Sequence, residues 1–366
     1  GFAKRRYNEH MMSVFINSVG SVSPQNTLGQ SFFLDEIVEY ESSTLAVIPP
    51  NYKEFIPPAA ARRMAKGIKM STVSAKTALA EAQVQESDID AIIVGTGLGC
   101  IGDSERFVKD IIDNDEQYLT PTRFIQSSHN TVAGQIALGM GCKGHNFTYV
   151  HGAISFESAL LDAQMQLQEN EAQQVLVGGV DELVSHHEDT HRLVGLIKQE
   201  AVRTRELLQA KSPGAVFSEG SNFFVLSNEK KESVYAELGG IGIYNTITQR
   251  ALEGRISDFL SEYGLTPSQV DVVLLGNNGD RDFDGYYHTL SEGVFKNTAQ
   301  VYYKHLSGEF DTASAFGFWL GNKILKHQRI PRSVRLNTIS SKKLETVLLY
   351  NQYRAENHGL VLLKKC

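Results

Sequence analysis

The stretch FTYVHGAISFESALLDAQMQLQ, Phe147 to Gln168, is laid out like an acyl-transfer site that lacks its nucleophile. Aromatic and β-branched residues from Phe147 to Val150 predict a short buried strand, and Phe156, Leu160 and Met165 at helical spacing predict a helix from Ser155 onward. The small residues between them form a turn. A strand that turns sharply into a helix offers free N–H groups and the positive end of the helix dipole, which stabilise negative charge developing at an attacking side chain. The residue at that point is Ala153. His151 and Ser155, two positions to either side, are the available substitutes. A histidine ending a buried strand is ordinarily a satisfied core residue, however, and Ser155 is placed to cap the helix.

Other candidates have structural readings too. The run SHHEDTHRL contains His186, His187, Glu188, Asp189 and His191, all metal-ligand types, but it is polar and follows a core strand, so it is read as a solvated loop or helix face and no metal is assigned. Cys100, Cys142 and Cys366 have no C-x-x-C spacing and are too few for a disulfide framework, which fits structural thiols in a reducing compartment. GTGLG, Gly95 to Gly99, lacks the third glycine of a dinucleotide loop and the acidic residue ~20 positions on; a tight turn after a strand accounts for it. Arg62, Arg63, Lys66 and Lys69 form a basic face on an otherwise acidic chain.

The elements that must position these residues belong to a large globular body. With 366 residues, 42% hydrophobic and 21% charged, the chain suits one big domain or two closely packed halves. A net charge of −7 argues against nucleic acid. No apolar run reaches the ~20 residues of a membrane helix, so no membrane insertion is expected. The start GFAKRRYNEHMM has no signal-peptide core, which points to the cytoplasm, and residues 1–11 are read as a vector-derived leader.

Two segments align without gaps, LAEAQVQESDIDAIIVGTG from Leu79 and LSEYGLTPSQVDVVLLGNNG from Leu260, bringing Glu81 onto Glu262, Ser87 onto Ser268, Asp90 onto Asp271 and Gly95 onto Gly276. Each reads as amphipathic helix, capped turn and buried strand ending at glycine, the unit of an α/β fold with a sheet covered on both faces. Their separation is about half the chain, which predicts a duplicated architecture with layers α/β/α/β/α. The halves are placed at 12–232 and 233–366, meeting near the charged connection NEKKESVY.

The motifs RRMAKGIKMSTVSAKTAL, AIIVGTGLG, LTPTRFIQSSHNTVAGQIALGMGCKGHNFT, VLVGGVDE and FSEGSNFFVLS, with Asn357 before GLVLL, occur in an order that resembles the β-ketoacyl synthases of the thiolase fold. The resemblance implies a five-layered fold. It also implies a condensing site made of an elbow cysteine, whose lowered pKa lets it hold the acyl chain, and two histidines that stabilise the enolate formed on decarboxylation. Matching the motifs puts Ala153 at the cysteine, Asn278 at the first histidine and Glu309 at the second; Lys304 alone is retained. Tyr353 stands where the family has a gating phenylalanine. Engineering could explain Ala153 but would not also convert both histidines.

On this basis the chain resembles the chain-length factors of type II polyketide and polyene systems, silent subunits that pair with an active ketosynthase. The resemblance then implies dimerisation through Phe147–Val150 and Asn130–Leu138, a partner tunnel closed by Arg123, Phe124 and Ile125, and docking of an acidic acyl carrier protein on Arg62, Arg63, Lys66 and Lys69. No cofactor is expected beyond the phosphopantetheine arm of that carrier. The alternatives are an acyltransferase or decarboxylase with a site rewired around His151, Ser155 or Glu309, and a homodimeric binding protein for acyl chains or carriers.

Overall fold

The computed structural model describes residues 11–29 and 33–366. The expected leader lies outside them up to residue 10. Ten strands fall into two sets of five with one topology. The first set comprises β1 (Phe15–Val22), β2 (Ala91–Gly95), β3 (His145–Tyr149), β4 (Gln174–Asp181) and β5 (Gly220–Ser227), ordered β1-β5-β4-β2-β3. The second comprises β6 (Ala236–Thr246), β7 (Val272–Leu275), β8 (Ala299–Tyr302), β9 (Thr346–Tyr353) and β10 (Glu356–Lys364), ordered β6-β10-β9-β7-β8. In both sets the first two pairings are antiparallel and the last two parallel. The sets join edge to edge through two residue pairs, Phe15 with Glu237 and Ile16 with Ala236.

Helices complete five layers. α1 (Lys66–Ala82) and α3 (Thr131–Met140) cover the outer face of the first set; α2 (Ile101–Asp113) lies between them in the chain. α4 (Ser155–Gln168) and α8 (Ser314–His327) run between the two sets, with α5 (Ser185–Leu193) near the mouth of the site. α6 (Leu252–Glu262) and α7 (Gly285–Glu292) cover the outer face of the second set. β4 shows why its sequence is a continuous apolar run: Val175 and Val177 join the central core while Leu176 and Val180 join the outer one. The duplication extends to single hydrogen bonds. Asp90 accepts the backbone N–H of Gln173 (2.8 Å) and Gln174 (2.9 Å), and Asp271 those of Glu345 (2.8 Å) and Thr346 (2.9 Å).

One expectation needs correction. The strand before the elbow spans His145–Tyr149 and is exposed: β3 is a sheet edge, Phe147 is 49% accessible, and Leu138 on the adjacent α3 is 75% accessible. Its counterpart β8 is also an edge but is buried at all four residues. A following segment covers it, with Val301 bridging to Arg335, the Leu336 N–H donating to Gln300 O (2.9 Å) and the Gln300 N–H to Asn337 Oδ1 (3.1 Å). Apolar sequence marks both strands as covered, yet among the described residues a cover from within this chain is seen only over β8. No helix among the described residues is long and apolar enough to cross a membrane.

Candidate functional site

The elbow between β3 and α4 is held by its own backbone. Gly152 takes φ +50, where a Cβ would lie 2.8 Å from Asn357 Nδ2, so glycine is needed for both the left-handed conformation and the close approach. Ala153 is 3% accessible. Ser155 does not cap the helix as expected: it lies within the first turn, where its Oγ accepts the His151 N–H (2.8 Å) and donates to Gly152 O (2.7 Å), so the hydroxyl is consumed in closing the turn. His151 is exposed rather than a core residue, because the edge strand that carries it is uncovered. Neither is poised as a substitute nucleophile.

The other matched positions converge. Lys304 and Glu309 form a buried ion pair, Nζ to Oε2 2.7 Å, with side-chain accessibilities of 0% and 4%. Nζ also donates to Asn351 Oδ1 (2.7 Å), and Asn278 Nδ2 donates to the same Glu309 oxygen (2.9 Å). The loop carrying Asn278 is fastened by Asp284, whose carboxylate accepts the N–H groups of Asn278 (3.1 Å) and Gly279 (2.9 Å) and is pushed up to about 7 by burial. Where two imidazoles would donate to an enolate, this network presents a carboxylate already neutralised by a lysine. Lys304 and Asn278 each give a hydrogen bond to that carboxylate, and a carboxylate at this position does not favour a developing oxyanion as an imidazole donor would.

A cavity of ≈ 70 Å³ lies above Ala153, walled by Glu309, Asp311, His187, His191 and Tyr353 among others. Ligand pockets usually run to ~300–1,000 Å³, so this one has no room for an acyl chain. His187 and His191 were expected on a solvated face; instead they are half-buried, with ring centroids 4.0 Å apart, and His191 packs edge-on against Phe217 at 5.2 Å. Burial lowers both pKa values, that of His187 to about 4. His191 Nδ1 lies 2.8 Å from His187 O, which places the proton on Nδ1 and the lone pair on Nε2. Among the described residues no group of three or more His, Cys, Asp or Glu is arranged to hold a metal.

Several carboxyls in or below the cavity, Asp311 and Glu157 among them, were not singled out from the sequence. Asp311 is pushed up to about 7 by desolvation and by the carboxylates of Asp181 and Glu309. Glu157, one helical turn beyond Ala153, is fully buried; burial raises it to about 7 and its Oε2 has no partner. Glu157 did carry a signal, a charge on the inward stripe with Phe156 and Leu160. The GTGLG turn serves an internal anion: Asp181 accepts the N–H groups of Gly97 (2.8 Å) and Leu98 (3.4 Å), and its other oxygen takes Thr312 N–H (2.9 Å) and Oγ1–H (2.7 Å). Cys100 is buried, Cys142 donates to Ile89 O (3.3 Å) and Cys366 is exposed; all three are free thiols.

The remaining candidates lie away from the cavity, except Tyr353. Tyr353 ends β9 near Phe217 (6.5 Å between centroids), and its hydroxyl pKa is raised chiefly by burial. It leads into a two-residue turn in which Arg354 (φ 53) and Ala355 (φ 66) are both left-handed. Arg123 pairs with Asp110, and Phe124 rests on Phe107 at 5.3 Å, so the short helix Pro121–Gln126 is clamped onto α2. Phe124 and Ile125 remain 62% and 63% accessible. Arg62 and Arg63 are exposed in the turn before α1, while Lys66 pairs with Glu219 and Lys69 lies over the Tyr52 ring at 5.4 Å.

The family model described as β-ketoacyl synthase, N-terminal domain, matches residues 50–232. The 3-oxoacyl-[acyl-carrier-protein] synthase 2 of Staphylococcus aureus (strain N315) is 23% identical over 347 residues, covering 84% of this chain and 82% of that protein. Among solved structures, the ishigamide ketosynthase/chain length factor superposes with a TM-score of 0.77 at 15% identity, covering 97% of this chain and 100% of the other. A ketosynthase in complex with its chain length factor from Xenorhabdus doucetiae gives 0.72 at 15% identity, covering 97% and 98%.

Proposed function

The chain belongs to the β-ketoacyl synthase family, and from that premise we propose that it is a non-condensing, chain-length-factor-type subunit that pairs with an active ketosynthase and shapes its acyl tunnel in polyketide, polyene or fatty-acid-like synthesis. The observation that carries this reading is the ion pair at the old site. Lys304 is bound by Glu309 and Asn351, Glu309 also receives Asn278, and Ala153 stands at the elbow, so the thiol and both imidazoles are absent together. A fold kept in full around such a site serves something other than condensation. The open β3 edge, with Phe147 exposed on it and Leu138 on the adjoining helix, supports a partner surface. Two of the superposed structures are described as ketosynthase/chain length factor assemblies, in line with this reading. The acyl carrier protein would meet Arg62 and Arg63, the two members of the basic face for which no side-chain partner is found among the described residues.

A second reading, an acyltransferase or decarboxylase with rewired chemistry, draws on the presence of His187 and His191 in the Ala153 cavity. Co-expression with a ketosynthase that retains its cysteine and both histidines separates the two. The proposal expects a stable one-to-one complex that elongates acyl chains and a lone chain that remains unmodified by acyl thioesters. A covalent mass shift on the lone chain overturns it in favour of the enzyme.

A further inference from the structure

We propose that Asp311 makes the cavity around Ala153 exclude anions, so that a malonyl-type carboxylate is refused by this subunit while neutral groups of the same size are admitted. The proposal rests on the reading of the chain as the partner that leaves extender chemistry to the other subunit.

The groups facing the cavity come from four directions. Asp181 and Glu182 lie at the end of β4, His187 and His191 on α5, Glu309 and Asp311 on the loop before α8, and Tyr353 on the hairpin of the second half. Most of this charge is already committed. Asp181 is held by Gly97, Leu98 and Thr312; Glu182 accepts the N–H groups of Gly67 (2.6 Å) and Gly102 (2.9 Å); and Lys304, the cation nearest Glu309, is bound to it. The histidines are held neutral by burial. Among the described residues no cation therefore remains in the cavity wall for a second carboxylate.

Asp311 is different. Its Oδ2 lies so close to Gly97 that a Cβ there would be 1.8 Å away, so only glycine at 97 lets this carboxyl fold against the loop beside the cavity. Neither a hydrogen bond nor a cation lowers its pKa, and burial, with the neighbouring Asp181 and Glu309, raises it to about 7. Above neutral pH it is an uncompensated charge in a water-poor recess, where one unit charge within several ångströms shifts occupancy by an anion about ten- to a hundredfold at an effective dielectric of ~20.

The test places a thiol in the cavity with Ala153→Cys in the full-length chain, with and without Asp311→Asn, and compares alkylation by iodoacetamide (neutral) and iodoacetate (anionic). Peptide mass spectrometry reads each site separately, with exposed Cys366 as the internal reference. Both reagents attack the same thiolate, so their rate ratio is independent of the thiol's own ionisation. At pH 8.5 the ratio at the introduced thiol should favour iodoacetamide about tenfold more than it does at Cys366. The preference should shrink at pH 6, and Asp311→Asn should remove most of it at pH 8.5. A ratio equal to that of Cys366, a ratio unmoved by Asp311→Asn, or failure of both reagents to react overturns the proposal, the last because the cavity is then closed by size rather than charge. The assay uses the chain alone, so its outcome is independent of whether a ketosynthase binds.

Discussion

Replacing Glu157 by Gln should stabilise the protein at alkaline pH and leave it nearly unchanged at acidic pH. The carboxyl lies in the central layer on α4, pressed so close to Gly359 that a Cβ there would be 2.9 Å from it, and Oε2 finds no donor. Desolvation lifts the group from 4.5 to about 7, more than the Ser314 hydroxyl and Lys304 nearby can offset. A folded-state pKa above the unfolded one means that the native state holds the proton more tightly. The stabilisation is thus complete below pH ~4.5 and is lost as pH rises through about 7. The shift, at 1.36 kcal/mol per unit, corresponds to about 3 kcal/mol between the two limits, a sizeable part of a typical ~5–15 kcal/mol. Glutamine keeps the shape without ionising, so any unmet amide hydrogen bond adds only an offset that does not change with pH. Urea unfolding at fixed protein concentration, followed through Trp319, the single tryptophan and fully buried, at pH 5, 7 and 8.5 gives the comparison. The Gln-minus-Glu difference should grow by about 3 kcal/mol from the lowest pH to the highest. A difference that stays constant would refute the reasoning, since the carboxylate would then be ionising without cost.

Four further outcomes are expected. Ala355→Gly should raise stability by about 1 kcal/mol in thermal or urea unfolding, because the second position of a hairpin turn with both φ values positive suits glycine. Lys304→Met should destabilise by about 3–5 kcal/mol by leaving Glu309 buried and unpaired, and adding Glu309→Gln should recover most of the loss. Phe124→Ala in the reconstituted complex should lengthen the products seen by mass spectrometry; a loss of yield or of complex at unchanged length would make the segment structural. Charge reversal at Arg62 and Arg63 should raise the carrier concentration for half-maximal rate, with added salt narrowing the gap; an unchanged rate at low salt returns the patch to an ordinary solvated face.

The layered fold was legible because its strands announce themselves. The AIIVG, VLVGG and VVLL runs are apolar on successive residues, which suits strands covered on both faces. The alignment of Asp90 with Asp271 was legible because both tie the same parallel strand into the sheet by the same two hydrogen bonds. Motif position was enough to bring Asn278 onto Glu309, and Glu309 and Ala153 to one cavity. The site was not legible where tertiary contact decides. Nothing in SHHEDTHRL indicates that residues 187 and 191 turn one helix face toward Phe217 while His186 and Asp189 face solvent. Nothing in the sequence marks Asp311, because its approach to Gly97 depends on two segments more than two hundred residues apart.

Apolar sequence reports that a strand is covered but not by what. This chain holds the comparison internally, since β3 and β8 occupy equivalent ends of duplicated sheets. Around β8 the cover is intramolecular: Arg335, Leu336 and Asn337 take up its edge groups, and all four residues are buried. Around β3 the same architecture leaves Phe147 open beside His145 and Tyr149, with ring centroids 6.1 Å and 4.9 Å away, and leaves Leu138 open on the adjoining helix. The fold does not require an open edge, because its other half closes one. An aromatic strand edge left uncovered beside a helix with exposed apolar residues invites pairing with another chain, a liability that proteins retain where such pairing is used. Placing a charge on this edge, as in Phe147→Lys, should therefore abolish co-purification with a ketosynthase while leaving the chain folded, as judged by an unchanged urea midpoint. A charged edge that still binds its partner in full would remove β3 from the interface.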